Sequence, residues 1–138
     1  MEFLKKQSAG YLANHMARLF ARGLAARIKP LGLSIGAFPA LLELWEKDGQ
    51  TQKELVVRLD IEQATMANTL ARMERDGLIV RKRDESDGRV QRVWLTDCTR
   101  SLRGPAIEAA TAVNTAALSG LSEDEQRHLI ALMQKVIA

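Results

Sequence analysis

The sequence contains few of the residues that cross-link a chain or carry it through a membrane. Cys98 is the only cysteine among the 138 residues, so no disulfide can form within the chain, and a reducing compartment fits this composition. No apolar run approaches the roughly 20 residues of a transmembrane helix. Charges also interrupt the N-terminal segment too early for the apolar core of a secretory signal. We therefore predict a cytoplasmic protein with no membrane partner.

The common signatures of metal centres and enzymes are absent as well. His15 and His128 are isolated, and neither Cys-x-x-Cys nor His-x-x-x-His spacing occurs. The sequence has no phosphate-binding loop and no Rossmann glycine pattern. Its carboxylates lie mostly beside basic residues on predicted helix surfaces, with no obvious acid–base pair. We predict no enzymatic activity, no metal site and no cofactor.

The composition is that of a single globular domain, residues 1–138. Hydrophobic residues make up 46% and charged residues 27% of the chain, which are ordinary proportions for a globular protein. The net charge is +3, from 20 basic and 17 acidic residues. This mild excess permits a polyanionic partner without requiring one.

Two helices are predicted before residue 50. Apolar residues recur at three- and four-residue steps across residues 4–28, which predicts a long amphipathic helix that ends before Pro30. Ser34 is the predicted N-cap of a second helix extending to about Lys47. Pro39 falls early in this helix, where we expect it to remove one backbone hydrogen bond and bend the helix start.

The following segments predict a helix-turn-helix and a β-hairpin. Thr51 and Glu54 have the spacing of a capping box at the start of a third helix, and a fourth helix follows over about 62–76. Two β-prone runs, LIVRKR and VQRVWL, flank a turn at residues 84–89. Two further helices are predicted after Asp97. The predicted fold class is therefore mainly α with a small β-hairpin wing.

The fourth predicted helix carries side chains suited to the major groove of DNA. The second helix of a helix-turn-helix presents short, hydrogen-bonding and cationic side chains to base edges. The candidate groove residues here are Gln63, Ala64, Thr65, Asn68, Thr69 and Arg72. Any solvent-exposed helix face can have a similar composition, so this helix alone does not decide between DNA binding and simple exposure.

The turn at 84–89 favours the DNA interpretation. Arg89 directly follows Gly88 at the predicted tip, where a long cation can reach the concentrated negative potential of a narrow minor groove. Asp87 is placed to hold the Arg89 side chain in one rotamer. The alternative is a charged turn in solvent, which would be preferred if no helix-turn-helix preceded it.

Residues 34–96 resemble the winged helix-turn-helix core of the MarR family of bacterial regulators. The matching motifs are TQKELVVRL, then TMANTLARMERDGLIVRKRDESDGR with its Asp-x-Arg tip, and the closing VWLT. The resemblance implies a homodimer that binds a pseudo-palindromic operator in double-stranded DNA, usually as a repressor and often released by a small ligand. By the same resemblance Thr65, Asn68 and Arg72 would lie in the major groove. Arg89 would be the wing arginine.

The terminal segments are predicted to form the dimer. Residues 1–30 and 105–138 hold more apolar side chains than a compact winged domain requires. Those expected to be exposed in a monomer are Leu118, Leu121, Leu129, Leu132, Met133 and Val136. Burying apolar surface is worth roughly 25 cal/mol per Å², which favours a partner chain. We assign residues 34–96 to the DNA-binding core and the two terminal segments to dimerisation.

Three alternatives remain open from the sequence. Aromatic residues and a histidine either line a pocket for a small aromatic or phenolic effector or belong to the core; these are Tyr11, His15, Phe38 and Trp45. Cys98 is either a structural or incidental thiol, which we prefer, or a redox sensor. The alternative to a DNA-binding regulator is a winged-helix module that binds proteins and has lost DNA binding.

Overall fold

The computed structural model describes all 138 residues and contains seven α-helices and three short strands. Their bounds are α1 Ala9–Ile28, α2 Phe38–Glu46, β1 Gln50–Thr51, α3 Gln52–Leu59, α4 Gln63–Arg75, β2 Ile79–Arg83, β3 Gln91–Leu95, α5 Asp97–Ser101, α6 Arg103–Ala117 and α7 Glu123–Ile137. The predicted fold class, mainly helical with a winged hairpin, is confirmed. None of the helices combines the length and hydrophobicity needed to cross a membrane.

The chain divides into two compact units. The terminal unit comprises Met1–Arg27 and Glu108–Ala138, and the central unit comprises Ile28–Ile107. Within the terminal unit, α1 and α6 approach closely at Gly23, where an added Cβ would lie 3.4 Å from Val113 Cγ1. A residue without a side chain therefore allows these two helices to pack at this point.

The apolar side chains of the terminal unit are only partly covered. Leu132, Met133 and Val136 of α7 are exposed, as predicted. The expectation of exposure is wrong for three others, which are half-buried: Leu118, Leu121 and Leu129. The connection before α7 folds onto that helix because Gln126 Nε2 donates hydrogen bonds to the carbonyls of Leu118 and Leu121, at 3.0 and 3.1 Å.

The second helix begins later than predicted. Ser34 Oγ accepts a hydrogen bond from Ala37 N at 3.3 Å inside a turn, and α2 starts only at Phe38. Pro39 is thus the second residue of the helix, where a backbone N–H has no intrahelical acceptor. The prediction that Pro39 removes a hydrogen bond from this helix is wrong for that reason.

The hairpin belongs to a three-stranded antiparallel sheet with the order β1-β3-β2. Strands β2 and β3 pair from Ile79 opposite Leu95 to Arg83 opposite Gln91. They enclose residues 84–90, which we call the wing loop, so the turn is one residue longer than predicted. Together, β2, the wing loop and β3 form the wing.

Strand β1 was not predicted, because it has only two residues and the second of them is also the N-cap of α3. Thr51 caps α3, accepting a hydrogen bond from Glu54 N at 3.1 Å, while its backbone pairs with Arg92 in β3. The Thr51 hydroxyl also donates to Glu54 Oε1 at 3.3 Å. The contact between these two side chains therefore differs from the reciprocal backbone contact of a full capping box.

Candidate nucleic-acid interface

Helix α4 has one buried face and one exposed face. Met66, Leu70 and Met73 are at most 1% exposed and pack into the central unit. The exposed side chains among the predicted groove residues are Gln63, Ala64, Thr65, Asn68 and Arg72. Helical geometry gathers residues three and four positions apart on one side. The structure therefore presents short, polar and cationic groups together on the outer surface of α4.

Thr69 does not share this surface. It is only 9% exposed and lines a cavity of about 340 Å³ beside Ser34, Ala37 and Met73. Thr69 is three positions after Met66 and four before Met73, so it falls at the edge of the buried face of α4. Thr69 therefore lies off the exposed face of α4 that carries the other predicted groove residues.

The start of α4 is linked to the start of α3. Glu62, the N-cap of α4, makes no side-chain capping hydrogen bond. Gln52 Nε2 donates to Gln63 Oε1 at 3.3 Å, which leaves the amide hydrogens of Gln63 available to another acceptor. Sequence reasoning missed Gln52 because it belongs to the preceding helix, and no local pattern reveals this contact.

The wing loop holds Arg89 at its tip. Asp87 Oδ1 accepts hydrogen bonds from Arg89 N at 3.1 Å and from Arg89 Nε at 3.3 Å. The predicted contact between these side chains is therefore present. The Arg89 side chain nevertheless remains 92% exposed, so its guanidinium is oriented without being covered.

Asp84 organises the first half of the wing loop. Its Oδ2 accepts hydrogen bonds from Ser86 Oγ at 2.6 Å and from Asp87 N at 3.2 Å. The Ser86 hydroxyl, followed by the Arg92 guanidinium, lowers the pKa of Asp84 to about 2. This structural role of Asp84 was not predicted, because its partner Arg92 lies eight positions away in the chain.

The candidate effector residues have different environments. In the central unit, Phe38 is 4% exposed and packs edge-to-face on Trp45, with ring centroids 6.1 Å apart. Trp45 Nε1 donates to the Thr99 carbonyl at 2.9 Å. Tyr11 and His15, in the terminal unit, are exposed. The effector pocket stays a prediction.

No three side chains among His, Cys, Asp and Glu come together as ligands for a metal ion would. Cys98 is a free, exposed thiol.

The sequence is similar to one protein family and to individual transcriptional regulators. The model of the MarR family matches residues 33–90, a range that includes α4 and the wing loop. The HTH-type transcriptional regulator MgrA of Staphylococcus aureus is 35% identical over 109 residues, which cover 79% of this chain and 73% of MgrA. The HTH-type transcriptional regulator TtmR of Methylorubrum extorquens is 32% identical over 114 residues and 83% of this chain, but the match spans 57% of TtmR.

Solved structures resemble the chain over most of its length. A MarR transcriptional regulator from Methanosarcina mazei has a TM-score of 0.85 at 26% identity, covering 93% of this chain and 92% of the other. A putative MarR family regulator from Listeria monocytogenes, complexed with a 26mer DNA, has a TM-score of 0.82 at 25% identity. That match covers 99% of this chain and 87% of the Listeria chain.

Proposed function

This chain belongs to the MarR family of transcriptional regulators, and we propose that it is a homodimeric repressor that binds a pseudo-palindromic DNA operator. In this proposal, the exposed face of α4 enters the major groove and the wing loop enters the adjacent minor groove. The two half-sites are about one helical turn apart, because a two-fold dimer presents its recognition helices at that spacing. Its role is binding, without catalysis.

The observation that carries the proposal is the chemistry of the exposed face of α4. An asparagine amide such as that of Asn68 can form two hydrogen bonds with adenine, and an arginine such as Arg72 can form two with guanine. Each such contact discriminates against a wrong base by about 1–3 kcal/mol. Ala64 is short enough to allow close approach, and Thr65 offers a hydroxyl. The alternative, a winged module that binds only proteins, has no need of this combination.

Arg89 supports minor-groove binding by the wing. Its side chain is 92% exposed and is held at one side by Asp87, so little conformational freedom is lost when the guanidinium binds. Narrow minor grooves concentrate negative potential and attract arginine. The same potential attracts Arg89 on any duplex, so this contact contributes to specific and non-specific binding alike.

The apolar surface of the terminal unit supports dimerisation. The exposed apolar side chains of α1 and α7 include Leu12, Leu19, Ile130, Leu132, Met133, Val136 and Ile137. Full burial of one such side chain contributes about 1.5–3 kcal/mol, and exposed patches of this kind are typical of interaction sites. A second copy of the chain would cover these residues.

We also propose that a small aromatic or phenolic effector releases the protein from DNA. This proposal rests on the family resemblance alone. A thermal-shift screen of aromatic carboxylates and phenols tests it, because a ligand that binds only the folded protein raises its unfolding temperature. A hit must also lower operator affinity to support this role.

The central experiment is a titration of DNA by fluorescence anisotropy. The operator is first recovered from a pool of random duplexes, and it is compared with a scrambled duplex at several salt concentrations. Asn68→Ala and Arg72→Ala should each cost about 1–3 kcal/mol on the operator and blur preference at particular base pairs. Arg89→Ala should weaken binding to both duplexes. It should also make the slope of log affinity against log salt shallower by about one for each lost contact that neutralises a phosphate.

A matched control comes from Arg103, an exposed arginine at the start of α6. Arg103→Ala removes the same charge as Arg72→Ala and should leave base preference unchanged. The proposal fails if the intact protein selects no sequence from the pool and its affinity for duplex DNA does not change with salt concentration.

A further inference from the structure

Arg92 lies in β3, the central strand of the three-stranded sheet, and its guanidinium contacts three other segments of the chain. Its Nε donates a hydrogen bond to Asp84 Oδ1 in the wing loop at 2.8 Å. Its Nη1 donates to the Gly49 carbonyl, just before β1, at 3.0 Å. The same Nη1 lies 3.7 Å from Glu54 Oε1 in α3. A planar guanidinium with several donors suits this bridging, which a lysine ammonium on a flexible stem does not reproduce.

The contacts of Arg92 continue to the tip of the wing. Asp84, held by Arg92, accepts a hydrogen bond from the backbone N–H of Asp87 at 3.2 Å. Asp87 in turn accepts from the backbone and the guanidinium of Arg89, at 3.1 and 3.3 Å. Two acid–base contacts, Arg92–Asp84 and Asp87–Arg89, and the backbone hydrogen bond from Asp87 to Asp84 thus connect Arg92 in β3 with the exposed cation at the tip.

The same contacts reach the helix-turn-helix on the other side. Glu54, 3.7 Å from Arg92, accepts a hydrogen bond from the hydroxyl of Thr51 at 3.3 Å, and Thr51 is the N-cap of α3. Arg92 therefore links the start of α3 to the wing loop. A rotation of the loop about the ends of β2 and β3 would have to break the bond from Arg92 to Asp84, while the bond from Arg92 to the Gly49 carbonyl keeps the guanidinium in place.

Arg92 is poorly suited to be a DNA contact itself. Its side chain is 35% exposed, against 92% for Arg89, and both Nε and Nη1 already donate within the chain. Asp84 and Glu54 also neutralise its charge locally. Ser86 and then Arg92 lower the pKa of Asp84 to about 2, as hydrogen bonds to the charged form of a carboxylate do.

We propose that Arg92 is the positioning residue of the wing: it holds the wing loop against α3 and so orients Arg89 for DNA, without contacting DNA. This inference rests on the proposed minor-groove role of Arg89. Arg92 contributes to affinity only through the tip, and its effect disappears when the Arg89 guanidinium is absent.

A double-variant cycle on operator DNA tests this dependence. Arg92→Ala should weaken operator binding by most of the factor by which Arg89→Ala weakens it. The double variant should bind within about twofold of Arg89→Ala alone, because Arg92 acts only through Arg89; two independent residues would instead give additive free energies. Arg92→Lys, which keeps the charge, should resemble Arg92→Ala. A double variant weakened by the product of the two single factors, or Arg92→Ala binding as wild type, would overturn the proposal.

A second measurement needs no DNA and separates this inference from the function it rests on. Hydrogen exchange of the Asp87 and Arg89 backbone N–H groups, measured by NMR on the free protein, should accelerate in Arg92→Ala. Arg83→Ala, which removes an exposed arginine from the same hairpin, is the matched control and should leave both rates unchanged.

All variants are compared below their own unfolding transitions, so that loss of fold does not imitate loss of positioning. Unchanged exchange in Arg92→Ala overturns the proposal, whatever the DNA titration gives. If exchange accelerates but Arg89→Ala binds DNA as wild type, the minor-groove role of Arg89 is wrong, and the effect of Arg92 on DNA is refuted with it.

Discussion

Replacing Gly49 by alanine is predicted to destabilise the central unit strongly. Gly49 connects α2 to β1 with φ at +73°, in the left-handed region. An added Cβ would lie 2.5 Å from Trp94 Cη2 and 2.7 Å from Cζ2. Non-bonded carbon atoms are normally about 3.5–4.0 Å apart, so either the indole or the backbone must move.

The expected cost follows from two separate terms. A left-handed conformation costs a residue with a Cβ about 1–2 kcal/mol, and overpacking a filled site costs about 1–3 kcal/mol. The reduced entropy of the unfolded chain offsets about 0.4–1 kcal/mol of this. The net loss for Gly49→Ala should therefore be about 1–4.5 kcal/mol. At about 4 °C per kcal/mol for a chain of this size, the unfolding temperature should fall by about 4–18 °C.

Chemical and thermal unfolding followed by circular dichroism measure this loss, at one fixed protein concentration because a dimer's stability depends on concentration. Gly104→Ala is the matched control. Gly104 lies in the first turn of α6 and has no neighbouring atom within 4 Å of the position of an added Cβ, so alanine should be neutral or stabilise by up to about 1 kcal/mol. If Gly49→Ala costs no more than Gly104→Ala, the reasoning from φ and from the Trp94 contact is refuted.

Three further predictions concern the terminal unit, the thiol and Asp84. Deleting residues 119–138 should convert the dimer to monomer or aggregate in sedimentation, and an intact chain that sediments as a well-behaved monomer contradicts the dimer. Cys98→Ser should leave DNA binding unchanged with and without peroxide, whereas peroxide release of wild type alone would favour a redox sensor. The pKa of Asp84 is lowered from 3.8 to about 2, so its ionised contacts stabilise the fold above about pH 4 and are lost as the pH falls through about 2. The stability advantage of wild type over Asp84→Asn should shrink across that window, and a constant difference would argue against this assignment.

The faces of α4 and the chemistry of the wing tip follow from local sequence. Met66, Leu70 and Met73 share one side of α4, and Asn68 and Arg72 lie on the other, because a period of 3.6 residues converts spacing directly into direction. The Asp87–Arg89 contact was predictable for a similar reason. Two residues that are two positions apart at a turn meet whatever the rest of the chain does.

Features that depend on packing between distant segments could not be predicted from the sequence. Thr69 lies at the edge of the apolar stripe of α4. Its side chain is buried where it lines a cavity together with Ser34 and Ala37. Gln52 met Gln63 only because α3 and α4 pack against each other.

The base of the wing depends on still longer separations along the chain. The Arg92 guanidinium reaches the Gly49 carbonyl across 43 positions. Asp48 accepts a hydrogen bond from Leu95 N at 2.9 Å across 47 positions. A two-residue strand such as β1 has too little local pattern to announce itself. Its pairing is specified by the approach of β3, because a strand hydrogen-bonds to a neighbour that local sequence does not identify.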